Sequence, residues 1–290
     1  MNPQVPAGTH TATTAVEVWE DVVGPKYLRH RQTIVGGTLA HGREALRRFP
    51  APIGARVLDV GTGTGESALL LGTQVGPTGR VLGIDSTERF LAVARDDLAR
   101  DGATNVEYER VDVSTLSIEP EFDLCFSQFG TMFFELPGAA FRDLRRAIVP
   151  GGDLMLCVWR SPQDNDWLEV AKRIAQETLG EAPSDAPSCG PGPWSMADPE
   201  MVRALLTAAG FTDIRHDPVT MDIPVGPTVE EAAEFALDLG PAGEIVRLCG
   251  ADSGRERVRA RLVERFARDM SPEGVQLSSG SWIVRAKNAV

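Results

Sequence analysis

The sequence predicts an α/β fold in which a doubly wound, mostly parallel sheet carries helices on both faces. Three observations point there. From residue 56 onward, short apolar runs of strand character alternate with longer amphipathic stretches of helical period. One of those runs, in "VLDVGTGTGES" (57–67), ends in a glycine turn that opens directly into a helical segment. Asp85 and Asp112 fall where strands should end, the edge at which open α/β sheets bind ligands.

The elements follow in order. Residues 1–15 read as a flexible arm, and 16–49 as a helical entry region broken at Gly24 and Pro25. "RVLDV" (56–60) is a buried strand, "ESALLLGTQV" a helix, and "RVLGID" (80–85) a second strand. "STERFLAVARDDLARDG" is a helix with Ser86 or Thr87 as N-cap. The alternation continues through "VEYERVDV" (106–113), "FDLCFSQ" (122–128), the helix "PGAAFRDLRRAIV" (137–149) and "GGDLMLCVW" (151–159). Past Trp159 the rhythm changes. Residues 160–198 hold one helix, "DWLEVAKRIAQETLG", then a loop rich in Pro, Ser and Gly that ends "CGPGPWSM". A helix and a strand follow in "DPEMVRALLTAAGF" and "TDIRHDPVTMDI", helical material interrupts again around 229–270, and "GSWIVRAKN" (280–288) closes the sheet. This divides the chain into an N-terminal arm and cap (1–50) and a core domain (51–290) with insertions at about 160–198 and 229–275.

Composition narrows the function. With 290 residues, 42% of them hydrophobic, the chain can bury one large α/β core. The N-terminus has neither a basic nor an apolar targeting region, and no window approaches ~18 uninterrupted apolar residues, so a cytoplasmic protein with no membrane partner is expected. A formal net charge of −12 would repel a phosphate backbone, which argues against nucleic acid as partner. The four cysteines and four histidines lack ligand spacing, so no metal is expected, and the cysteines read as reduced thiols. A homodimer is left open.

The glycine loop selects the cofactor. A strand that ends in a glycine turn and enters a helix presents free backbone N–H groups to a ligand. The dinucleotide fingerprint needs a third glycine at position 66, which is Glu66, and no Gly-Lys-Ser/Thr follows. An NAD(P)-dependent oxidoreductase is therefore disfavoured. The spacing is instead Asp59, then Gly61, Gly63 and Gly65 at every second position.

That pattern resembles motif I of the class I S-adenosylmethionine-dependent methyltransferases, and the resemblance runs through nearly the whole chain. "FSQFGTMFFELPGAAFRDLRRAIVPGGDLMLCVWR", "NDWLEV", "GPGPWSMADPEMVRALLTAAGF" and "SWIVRAK" are similar to the UbiE-like, type 11 branch. Thr62 departs from it, standing where many relatives carry cysteine. The resemblance implies a Rossmann-like, seven-stranded sheet with an antiparallel closing arm, helical caps, and S-adenosylmethionine as cofactor. It implies that Asp59, Gly61, Thr62, Gly63 and Gly65 line the methionine and adenosine moieties, that Asp85 and Ser86 meet the ribose, that Asp112 and Val113 meet the adenine, and that Ser127 and Gln128 border the methionine end.

For the acceptor, a small-molecule metabolite, Tyr27, Phe129, Met132, Phe133, Trp159 and Trp194 are the candidate lining residues, with Trp167 in the same insertion. Because the sulfonium already activates the methyl group, the protein has mainly to align a nucleophile and exclude water. A base is optional; were one used, His30 in "KYLRHRQ" is the candidate, since the entry region of this family folds over the pocket. The competing reading is a catalytically silent S-adenosylmethionine-binding scaffold.

Overall fold

The computed structural model describes residues 15–113, 119–180, 192–249 and 252–289. The expected arm at 1–15 lies almost wholly outside them, as does most of the Pro-, Ser- and Gly-rich stretch before Trp194.

The entry region is helical throughout: α1 (Ala15–Glu17), a π-helical stretch Val18–Val23, α2 (Gly24–Arg29) and α3 (Arg31–Arg48). No break occurs at Gly24 and Pro25. Pro25 sits in the first turn of α2, where its missing N–H is not needed, and Gly24 keeps helical dihedrals. The bend is at His30, whose ψ of 16° leaves the helix.

The sheet contains β1 (Arg56–Val60), β2 (Arg80–Asp85), β3 (Val106–Arg110), β4 (Phe122–Gln128), β5 (Ile148–Trp159), β6 (Phe211–Gly226), β7 (Met270–Ser271) and β8 (Gly274–Asn288). Its order is β3-β2-β1-β4-β5-β8-β6, with β7 paired to β8 beside that path. The first five strands are parallel, and β8 runs antiparallel to both β5 and β6. This is the expected seven-stranded, doubly wound arrangement, with the two-residue β7 added. The strand order reverses between β1 and β4, so a crevice opens at the carboxyl ends of those strands.

Helices α4 (Glu66–Val75), α5 (Glu88–Asp101), α6 (Pro137–Ala147) and α8 (Pro199–Ala208) join the strands. Helix α6 buries Ala140, Phe141, Leu144 and Ala147, one apolar stripe of helical period. It ends two residues before the expected 149, because Ile148 turns extended and pairs with Phe122. Strand β3 stops at Arg110, so Asp112 lies two residues beyond it rather than inside it.

The insertions build a second core. Helices α7 (Asp166–Leu179), α9 (Val229–Leu239), α10 (Pro241–Cys249) and α11 (Asp252–Phe266) bury their apolar faces around Val225, Val275 and Leu277. Those three residues belong to the outer half of the β6–β8 ribbon, which is why both strands run longer than expected. Helix α9 starts with a side-chain cap: the Glu231 N–H donates to Thr228 Oγ1, which in turn donates to Glu231 Oε2. Among the described residues no helix is long and apolar enough to cross a membrane.

Candidate cofactor and acceptor site

The apolar run of β1 drives the glycine loop to the carboxyl edge of the sheet, and neighbouring backbone fixes its path. The Gly61 and Thr62 N–H groups both donate to the Ile84 carbonyl of β2, at 2.9 and 3.0 Å. Gly61, Gly63 and Gly65 have φ of 70°, 56° and 91°, the left-handed region that side chains disfavour. Their surroundings differ. A Cβ on Gly61 would lie 3.0 Å from the Gly130 Cα, and one on Gly65 would lie 2.4 Å from the Tyr108 hydroxyl. A Cβ on Gly63 would meet nothing within 4 Å, so Gly63 borders open space.

Two carboxylates brace this loop. Asp59 is fully buried, and its Oδ2 accepts from Thr62 Oγ1 and Ser67 Oγ, both at 2.7 Å. Burial pushes its pKa up to about 6 against those two hydrogen bonds. Asp85 ends β2; its Oδ2 accepts from the Gly63 N–H at 3.0 Å and its Oδ1 from the Thr87 N–H at 2.9 Å. Burial raises its pKa as well. Hydrogen bonds from the Thr87 backbone and side chain and from the Gly63 and Ser86 backbone oppose that rise and hold the carboxylate at the end of β2. Neighbouring Ser86 accepts from Arg110 Nε through its carbonyl, and Val113 packs on the main core.

Three buried polar atoms here have no protein partner: Asp59 Oδ1, Ser127 Oγ and Gln128 Oε1. Such atoms are costly unless a ligand or water pairs them. With the open side of Gly63, they fit a group that brings an ammonium and hydroxyls to the loop, as S-adenosylmethionine does. Gln128 is positioned by α3, where Gly42 leaves room that any side chain would take from its amide.

The entry helices cover the loop. Tyr27 is half-buried beside Thr64, and its phenol pKa is raised by desolvation and then by Glu66 and Asp85; its ring lies 4.8 Å from Phe90. Arg31 donates to Glu66 Oε1 from Nε at 2.9 Å and also pairs with Asp97, tying α3 to α4 and α5. Trp19 meets Phe133 edge to face at 4.9 Å.

An aromatic run leads away from the loop. Phe129, held at φ 58°, stacks on Trp159 at 3.7 Å. Trp159 contacts Trp167 at 5.1 Å, Trp167 stacks on Phe235 at 6.5 Å, and Phe235 lies 5.5 Å from the His30 ring. Of the expected acceptor residues, Tyr27 and Phe133 are joined through Phe90 and Trp19, whereas Phe129 belongs to the separate run through Trp159. Met132 does not line it: the residue is enclosed, and its Sδ accepts the Trp159 N–H at 3.3 Å. Trp159 is buried within the run, so only its neighbours extend the wall. Trp194 is half-buried in a turn fixed by the Ser195 hydroxyl, which donates to the Met132 carbonyl at 2.6 Å.

Two groups had no local signal in the sequence. His41, on α3, is fully buried between Ser279 and Ser281 of β8 and edge-on to Phe129 and Trp159. Ser279 Oγ donates to the Met221 carbonyl, so His41 Nε2 must donate to Ser279 while Nδ1 accepts from Ser281. The ring is thus neutral and fully paired, and burial lowers its pKa to about 4. The second is Asp238 of α9, whose Oδ2 lies 2.9 Å from both His30 Nε2 and Arg29 Nη1. Although burial opposes it, the hydrogen bonds from His30 and Arg29 hold the Asp238 carboxyl below the usual carboxylate range.

Comparison with known proteins bears on the segment that carries this loop. Residues 57–152 match the family model described as a methyltransferase domain. The chain is 36% identical over 111 residues to the ubiquinone/menaquinone biosynthesis C-methyltransferase UbiE of Pseudomonas putida, covering 38% of this chain and 43% of that one. It is 32% identical over 142 residues to the UbiE protein of Cupriavidus metallidurans, covering 45% and 57%. The chain thus spans about half the length of the curated relatives it matches. The crystal structure of the YcgJ protein from Bacillus subtilis superposes with a TM-score of 0.58 at 15% identity, over 87% of this chain and 99% of that one. Residues 57–152, which hold the whole glycine loop and nearly all of β1 to β4, are therefore similar in sequence to a methyltransferase domain, and the chain shares its fold with the YcgJ protein.

Proposed function

We propose that the protein transfers a methyl group from S-adenosylmethionine to a carbon atom of a small molecule held beneath the entry helices. The observation that carries this reading is the open side of Gly63 next to the unpartnered Asp59 Oδ1, Ser127 Oγ and Gln128 Oε1. Carbon as the acceptor atom is supported by the printed activity of the UbiE relatives.

When bound, the cofactor supplies an electrophilic methyl group. The chain's own residues have three tasks. The glycine backbone, Asp59 and Asp85 hold and orient the ligand. Tyr27, Trp19 and Arg31 close the entry helices over it and exclude water. The half-buried Trp167, beside the buried Trp159 and Phe235, and the half-buried Phe133, beside Trp19, offer ring faces against which an apolar acceptor can be aligned.

The test is calorimetric titration with S-adenosylmethionine, followed by mass spectrometry of a menaquinol analogue lacking its ring methyl group after incubation with protein and cofactor. Micromolar binding and a gain of one methyl on carbon are expected. Absence of S-adenosylmethionine binding would overturn the reading.

A further inference from the structure

We propose that Asp238 is a positioning residue that sets His30 as the proton acceptor of the transfer, an inference that rests on the methyltransferase reading above. His30 and Asp238 lie 208 residues apart, and their 2.9 Å contact joins the entry helices to α9 of the insertion. Both side chains are largely buried, at 13% and 14% exposure, so this is not a solvated surface pair. An ionised carboxylate only accepts hydrogen bonds, so Nε2 carries the ring proton and Nδ1 holds the basic lone pair. Asp238 is itself held in place, by Arg29 Nη1 at 2.9 Å and by Arg255 Nη2 of α11 at 3.3 Å. Glu234 in turn pairs with Arg255 and Arg259. These are the charged groups that face the pair from α2, α9 and α11.

The location suits a proton acceptor. His30 lies between Tyr27 and Arg31, which touch the glycine-loop residues Thr64 and Glu66. Its ring packs on Phe235 of α9 at 5.5 Å, at the far end of the aromatic run from Phe129, so it faces the loop only through its neighbours Tyr27 and Arg31. A neutral carbon or hydroxyl acceptor loses one proton as its electron pair forms the bond to the methyl carbon, and the methyl–sulfur pair stays on sulfur. His30 Nδ1 takes that proton, Asp238 faces the resulting imidazolium, and the proton then passes to water. Asp238 would fix the tautomer and stabilise the charge without being protonated itself, the role a carboxylate has beside any general-base histidine.

The test has two arms on the full chain. The first is nitrogen-15 NMR of the histidine rings with S-adenosylhomocysteine present, His30→Gln assigning the signal. The wild type should show the Nε2–H tautomer, and Asp238→Asn a mixture of tautomers. An Nδ1–H tautomer in the wild type, or an unchanged spectrum in Asp238→Asn, would overturn the proposal whatever the activity. The second arm is single-turnover methyl transfer to the demethylated menaquinol analogue between pH 5 and 9. His30→Gln should lower the rate ~100-fold and remove the break in the pH profile while leaving calorimetric S-adenosylmethionine affinity intact. Asp238→Asn should lower the rate ~10-fold or more, with partial recovery in Asp238→Glu. Wild-type rate and pH profile in His30→Gln would sink the proton-acceptor role and leave the methyltransferase reading standing. A wild-type protein that neither binds S-adenosylmethionine nor transfers methyl would sink both.

Discussion

Gly63 and Gly65 share a left-handed backbone but not their surroundings, so the same substitution should have different consequences at the two positions. At Gly65 an added methyl group meets the Tyr108 hydroxyl at 2.4 Å and Ala94 Cβ at 2.9 Å. Gly65→Ala should therefore cost ~3 kcal/mol of stability, backbone strain and overpacking together. At Gly63 the space is open, so Gly63→Ala should cost only the left-handed penalty of ~1 to 2 kcal/mol. Its methyl group would enter the ligand's space, and S-adenosylmethionine affinity should fall at least 10-fold, with Gly63→Val abolishing binding. Urea unfolding and calorimetry on the variants separate the two effects. Equal affinity for cofactor in wild type and Gly63→Val would remove Gly63 from the site. The glycine loop was legible because its constraint is local: three glycines and an acid within seven residues. His41 was not legible, since the serines that pair it lie 238 and 240 positions away.

Among the elements, the junction of β5, α7 and β8 depends on one side chain. Asn165 is fully buried; its Nδ2 donates to the Ser161 and Gly280 carbonyls, and its Oδ1 accepts from the Gly280 N–H and Trp167 Nε1, all between 3.0 and 3.1 Å. It therefore fixes both the start of the insertion and the rotamer of Trp167. Asn165→Ala would strand those backbone groups and should cost ~3 kcal/mol in urea unfolding. Tryptophan fluorescence should shift to the red as Trp167 loses its anchor; unchanged emission and stability would show that the anchor is dispensable. The regular βα units were legible to within a few residues, since β1, β2 and α4 follow period and punctuation alone. The entry region was misread at Gly24 and Pro25 because helix-breaking residues are tolerated in a first turn. The lengths of β6 and β8 were invisible for a different reason: what extends them is the second core, built from helices distant in sequence.

Over the whole molecule, two buried groups beside the site that titrate between neutral and acid pH, His41 and Asp59, oppose each other. His41 titrates near 4 when folded and near 6.5 when unfolded. Its contribution is complete above pH 6.5 and is lost as pH falls towards 4, about 3 kcal/mol in all. Asp59 titrates near 6 when folded against 3.8 when unfolded. Its buried charge destabilises the fold above pH 6, and that penalty, also about 3 kcal/mol, disappears as pH falls to 3.8. In the wild type the two nearly offset between pH 7 and pH 4, so the variants must be read as differences from it. Asp59→Asn keeps an oxygen for Thr62 and Ser67 but carries no charge. Relative to wild type it should be favoured at pH 7 and lose about 3 kcal/mol of that advantage by pH 4. His41→Gln should move the opposite way, gaining about 3 kcal/mol on the wild type over the same interval. Urea unfolding of the three proteins at pH 7, 5.5 and 4 measures both differences. Parallel stability curves for Asp59→Asn and wild type would mean that Asp59 is not held as a buried charge, and the case for its Oδ1 as a ligand contact would fall with it.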